Sequence, residues 1–191
     1  MREETGGGTP QVFRIAVLPG DGIGPEVIAE GVRVLAAVGK RLADVRLELA
    51  HCAAGAGEYL RNGDPLPEAT MRACRDCDAI LLGAMGLPDV RGPGGTEIAP
   101  QLDLRERLEL YAGVRPIRLY HPYHSPLVPG RAAGTDFVIY RENTEGMFWS
   151  RRNTWTAGDA EVLDTMRISR RGSERLFRRA FHRSQTSRKW A

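Results

Sequence analysis

Hydrophobic positions along the chain fall into short runs separated by longer periodic stretches. The run VFRIAVL at 12–18 is apolar and rich in β-branched residues, and predicts a strand ending at Pro19-Gly20. Pro25 suits the first turn of a following helix, where its missing N–H costs nothing. Val27, Ile28, Val34, Leu35 and Val38 fall on one broad face of that helix. VRLELA predicts a second strand, and GDPLPEATMRACRDC a turn leading into a helix. DAILLGAMG is apolar throughout, the pattern of a strand buried on both faces. Beyond the loop GLPDVRGPGG a helix is predicted over 99–112, with Leu104, Leu108 and Tyr111 at i, i+4 and i+7. VRPIRLY and DFVIYREN predict two more strands, and WTAGDAEVLDTMRIS a hairpin or arm. SERLFRRAF predicts a helix with Leu176, Phe177, Ala180 and Phe181 on one side and arginines on the other. There is no internal repeat, and the alternation of strand and helix argues an α/β sandwich.

Composition refines this picture. A chain of 191 residues, 42% of them hydrophobic, can bury one large core or two small ones. Residues 1–11, polar and glycine-rich, are expected to be a disordered tail with no secretory apolar region. No stretch approaches the ~20 apolar residues of a membrane span, so a soluble cytoplasmic protein is expected. The net charge of +3 is unevenly placed. From Arg167 onward there are nine Lys or Arg and one acidic residue, Glu174, leaving 18 basic and 23 acidic side chains in the rest. This basic segment lacks the interleaved aromatics of a nucleic-acid reader, and nucleic acid is not an expected partner. Cys74 and Cys77 form a C-x-x-C, but with Cys52 the only other cysteine a zinc site lacks two ligands. His121 and His124 lie in a proline-rich stretch that reads as a surface connection.

Two patterns suggest chemistry. PGDGIGPE places Gly20, Gly22 and Gly24 between a strand and a helix, as in loops that hold a phosphate at a helix N-terminus. Its spacing is G-x-G-x-G rather than G-x-G-x-x-G, and no acidic residue follows in the ribose-binding position, so a tight strand-to-helix turn is the competing reading. The second pattern is a set of arginines at ordered places: Arg105 in a helix, Arg115 before Pro116 and therefore extended, and Arg141 at the end of a strand. Each alone reads as a solvated or salt-bridged surface arginine. Converging, they would suit a ligand with more than one carboxylate, because guanidinium groups form rigid bidentate pairs with such groups.

PGDGIGPEV, DAILLGAMG, LRERLELYAGVRP and YRENTEG, in this order, resemble the isocitrate and isopropylmalate dehydrogenase family, over about 12–181. The resemblance implies an isopropylmalate dehydrogenase-like three-layer α/β sandwich, incomplete at its C-terminus. It places 12–105 in a large α/β domain and 106–191 in a small or arm domain that is cut short. It implies oxidation, usually with decarboxylation, of a small 2-hydroxy di- or tricarboxylic acid by NAD or NADP, assisted by Mg or Mn. Arg105, Arg115 and Arg141 match the substrate-carboxylate arginines, and Gly22 and Ile23 the loop beside the nicotinamide. The stretch 148–168 matches an arm that pairs with a second subunit, so a homodimer is implied.

Three departures qualify the expectation. Phe148 stands where the family keeps an acidic tyrosine, seven residues after the third arginine, and phenylalanine has no proton to give. Tyr140 and Tyr123 are phenols nearby in sequence. The family's catalytic lysine and metal-binding aspartates match sequence beyond Ala191, so no catalytic residue and no metal ligand is expected to be intact in this chain. The stretch before Arg105 reads APQLDL, and Gln101 and Asp103 match neither the paired leucines of isopropylmalate enzymes nor the Ser and Asn of isocitrate enzymes. The alternative to an active dehydrogenase is a truncated, catalytically inactive remnant of one.

Overall fold

The computed structural model describes residues 9–152, 160, 161 and 163–186. The expected tail therefore lies outside the described residues up to residue 8, as do most of WTAGDAE and the last five residues. The chain divides into two compact units, Met1–Leu104 and Arg105–Ala191.

The first unit is built on a parallel sheet of three strands in the order β2-β1-β3. Strand β1 (Gln11–Leu18) lies between β2 (Val45–His51) and β3 (Ala79–Leu82). Gln11 opposes Val45 and Ile15 opposes Ala79. Parallel neighbours need a crossover, supplied here by helices α1 (Gly24–Gly39), α2 (Ala56–Asn62) and α3 (Glu68–Asp76). The sheet core is the end of β1: Ala16, Val17 and Leu18 are fully buried, with Met71, Ala56, Leu66 and Ile28 also in the core. Helix α2 was not anticipated from the sequence, because AGEYLRN is too short to show a helical period. Expected burial is also corrected. Of the apolar face on α1 only Ile28 is buried, while Val27, Val34 and Val38 are exposed. Strand β3 is not buried on both faces: it ends at Leu82, has only β1 as neighbour among the described strands, and exposes Leu82.

Helix α4 (Pro100–Arg107) runs from the first unit into the second and is shorter than its apolar spacing suggested. Its continuation stops where Glu109 adopts a left-handed backbone, φ 49°, and the Leu110 N–H turns back to the Arg105 carbonyl at 2.8 Å. Leu108 and Tyr111 are consequently off the helix, although Leu104 is buried as its position required.

The second unit holds an antiparallel pair, β4 (Ala112–Arg118) and β5 (Asp136–Glu142), with Ala112 opposite Glu142 and Arg118 opposite Asp136. The short helix α5 (Pro129–Ala132) lies in the connection. Helix α6 (Arg170–Thr186) packs against β5. Phe177 and Phe181 on α6 are exposed. The stretch expected to be an arm begins as a 3-10 turn, Met147–Arg152, and returns at an antiparallel bridge between Gly146 and Arg167. Among the described residues no helix is long and apolar enough to cross a membrane.

Candidate functional site

The register of the β4–β5 pair decides where the arginines go. Arg141 opposes Gly113 and Arg115 opposes Ile139, so the two arginines stand on one face as a diagonal pair. Arg105, at the end of α4, comes to the same place. The ring of Phe148 lies 5.8 Å from the Arg105 guanidinium carbon and 5.4 Å from that of Arg141. Both are within the ~6 Å at which a cation is drawn to an aromatic face. Burial pulls the Arg105 guanidinium below its ordinary value, and the charges of Arg141 and then Arg115 pull it further. Among the described residues no carboxylate is ion-paired with any of the three. Like charges gathered without a counter-ion repel, and each shared ring contact offsets only about 0.5–1 kcal/mol of that. An anion placed among them would relieve that repulsion.

Alternation along YRENTEG separates its two tasks. Glu142 turns away from the arginines and accepts bonds from the Thr144 N–H at 2.7 Å, the Thr144 hydroxyl at 2.6 Å and the Glu145 N–H at 3.2 Å. Arg175 of α6 reaches Glu142 at 3.3 Å and Thr144 Oγ1 at 2.5 Å, and stacks over Tyr111. Glu145 accepts from the N–H and hydroxyl of Ser169, just before α6. The acidic residues of the motif thus fasten the turn to α6. Arg141 and Asn143 remain on the arginine side: the Arg141 Nε–H donates to Asn143 Oδ1 at 3.0 Å. Asn143 was not singled out from the sequence. The signal was its place two residues after Arg141, the same face of an extended chain.

Tyr140 alternates to the opposite face of β5 from Arg141. Tyr123 is 91% exposed and stacks on His121. In the first unit, Gln101 lines a cavity of about 330 Å³ with Met85, Leu87, Arg91 and Ile98, and its Oε1 is buried without a hydrogen-bond partner among the described residues. Burial pushes the Cys74 thiol up to about 11, with Cys52 and Cys77 adding to it, so this thiol stays protonated and inert at neutral pH.

The glycine loop resolves differently from a phosphate cradle. Asp21 is buried, and its carboxylate accepts from the N–H groups of Ala56 at 2.7 Å, Gly57 at 2.8 Å and Gly86 at 2.8 Å. The anion at the N-terminus of α2 is therefore the protein's own. A side chain at Gly20 would collide with the Ala84 carbonyl oxygen, so that glycine serves close packing of the loop on the segment after β3. Within the loop itself the Asp21 N–H donates to the Ala84 carbonyl at 2.7 Å and the Gly24 N–H to the Asp21 carbonyl at 2.8 Å, so two of its amides are engaged by the protein. Gly22 faces open space and Ile23 is 63% exposed. A metal ion does not fit the described residues, as no three His, Cys, Asp or Glu side chains among them are grouped to hold one.

Comparison with known proteins settles the family. The sequence pattern of the isocitrate/isopropylmalate dehydrogenase family matches residues 14–191. The chain belongs to that family. It is 40% identical over 179 residues to the 3-isopropylmalate dehydrogenase of Moorella thermoacetica, covering 89% of this chain and 49% of that one. Identity to the enzyme of the same name from Bacillus caldotenax is 40% over 182 residues, with 93% and 50% covered. The isocitrate dehydrogenase of Methylococcus capsulatus superposes with a TM-score of 0.73 at 28% identity, over 92% of this chain and 48% of that one. The α/β fold is accordingly of the isocitrate/isopropylmalate dehydrogenase type. The chain spans about half the length of the curated relatives it matches.

Proposed function

We propose that Arg105, Arg115 and Arg141 form the carboxylate-binding part of an NAD- or NADP-dependent dehydrogenase acting on a small 2-hydroxy di- or tricarboxylic acid. The observation that carries this reading is the gathering of three guanidinium groups, two of them over the Phe148 ring and Arg115 on the same strand face as Arg141, with no carboxylate paired to them among the described residues. Arginine suits the task because its planar fork fixes the orientation of a carboxylate as well as its position. With the carboxylates held, the hydroxyl-bearing carbon is presented in one orientation. Hydride acceptance belongs to the nicotinamide, for which the exposed edge at Gly22 and Ile23 is the proposed contact. Polarisation of the hydroxyl belongs to Mg or Mn, for which no three His, Cys, Asp or Glu side chains are grouped among the described residues. A cytoplasmic homodimer is the setting proposed for this activity.

Phe148 favours a second reading, a chain that binds the acid without completing turnover. The ring offers no proton to a carbanion or enolate formed at the site, so a water or another group must deliver it. Calorimetric titration of the full chain with 3-isopropylmalate, malate and 2-hydroxyisocaproate tests the binding claim. The two dicarboxylates are expected to bind and the monocarboxylate to bind at least about tenfold more weakly, with Arg115→Ala and Arg141→Ala each costing a comparable factor. Equal binding of all three acids, or of wild type and both variants, overturns the proposal. Reduction of NAD or NADP in the presence of Mg separates the two readings: turnover supports the dehydrogenase, and binding without turnover supports the second.

A further inference from the structure

We infer that Asn143 is the positioning residue for Arg141, and that Gly113 exists to make room for it; the functional part of this inference rests on the carboxylate-binding reading above. Three observations carry it. The backbone N–H of Asn143 donates to the Tyr111 carbonyl at 2.8 Å, which fixes Asn143 one step beyond the last paired residue of β5. Its side-chain amide lies over Gly113: a Cβ there would sit 2.5 Å from Asn143 Nδ2 and 3.0 Å from Oδ1. At the first distance the Asn143 amide would have to move aside. Finally, the amide oxygen accepts from Arg141 Nε. The assignment of that oxygen follows from chemistry, since a guanidinium offers only donors.

The consequence lies in which donors remain. Tying Nε to Asn143 fixes the plane of the guanidinium and leaves the two terminal nitrogens for a ligand. Phe148 lies against the same group, so the plane is held by a hydrogen bond at one edge and an aromatic ring beside it. An arginine with a free Nε would sample several orientations and lose that freedom on binding, which weakens affinity. Gly113 acts through Asn143 and Asn143 through Arg141. Neither need touch the acid.

The order of action is testable with and without ligand. In the ligand-free full chain, the Arg141 Nε–H should be resolved by nitrogen-edited NMR and protected from solvent exchange. Asn143→Ala and Gly113→Ala should each abolish that protection while circular dichroism stays at wild type. With malate or 3-isopropylmalate as probe, Asn143→Ala should weaken binding about tenfold in the Arg141 background and have no further effect once Arg141→Ala is present. Retained Nε–H protection in either variant overturns the inference, as does an equal loss of affinity in both backgrounds, which would mark Asn143 as structural only. If wild type shows a protected Nε–H that both variants lose, yet binds neither acid, the positioning stands and the carboxylate-binding reading fails.

Discussion

Glu145 couples pH to the placement of α6. The Ser169 hydroxyl is the largest of the effects that hold the Glu145 carboxylate below its ordinary value of 4.5; burial, next in size, opposes it, and the Ser169 N–H and the charges of Arg167 and Arg175 add to the lowering. A group whose folded value is depressed binds fewer protons folded than unfolded, so it stabilises the fold above its unfolded value. The stabilisation should be complete above about pH 4.5 and should fade as pH falls through the lower folded value. Urea midpoints measured across this window are expected to fall on acidification, and Ser169→Ala should flatten that dependence. An unchanged pH dependence in the variant would show that other carboxylates dominate. At the same scale, Phe148 takes on two characters. It has no proton to give, yet its ring lies beside two of the three arginines.

At the level of elements, the loop PGDGIGPE is an anchor for helix α2. Three amide N–H groups from two separate segments converge on one buried carboxylate, and α2 is only seven residues long. So short a helix is marginal by itself and depends on such a tie. Asp21→Ala leaves three donors unmatched and is expected to destabilise the first unit by about 3 kcal/mol, given roughly 1–3 kcal/mol for each unsatisfied buried group. Hydrogen exchange should show the amides of Ala56, Gly57 and Gly86 losing protection ahead of the rest of the sheet. Protection equal to wild type would mean that packing, not the carboxylate, holds α2.

Across the whole molecule, Arg105, Arg115, Arg141, Asn143 and Phe148 all belong to the unit Arg105–Ala191. A dicarboxylate binding to them should slow hydrogen exchange in β4 and β5 while leaving β1–β3 as they are, because only the liganded unit gains stability from binding. Protection confined to β1–β3 would place the acid elsewhere. The uneven charge noted along the chain has a related consequence. The basic stretch from Arg167 onward includes residues with fixed tasks: Arg175 serves Glu142 and Thr144, and Arg167 covers the ring of Trp149 at 4.0 Å. Part of what reads as a charge run is internal bracing.

Periodicity alone located five strands and most helices, because an apolar run of seven residues or a stripe at i, i+4 is a local property of the chain. Motif order along the sequence was enough for the family, and it picked out Arg105, Arg115, Arg141 and Phe148 as residues to watch. It was not enough for their convergence, which depends on pairing Gly113 with Arg141 across residues far apart in sequence. The same dependence explains the misreadings. Leu108 and Tyr111 keep helical spacing but lie beyond a left-handed Glu109, and Asp21 looked like part of a phosphate loop until its three amide partners arrived from residues 56, 57 and 86. Spacing records what one element can present. Only the tertiary structure decides what that element meets, and at Asn143, which has no signature of its own, that meeting is the whole of its proposed role.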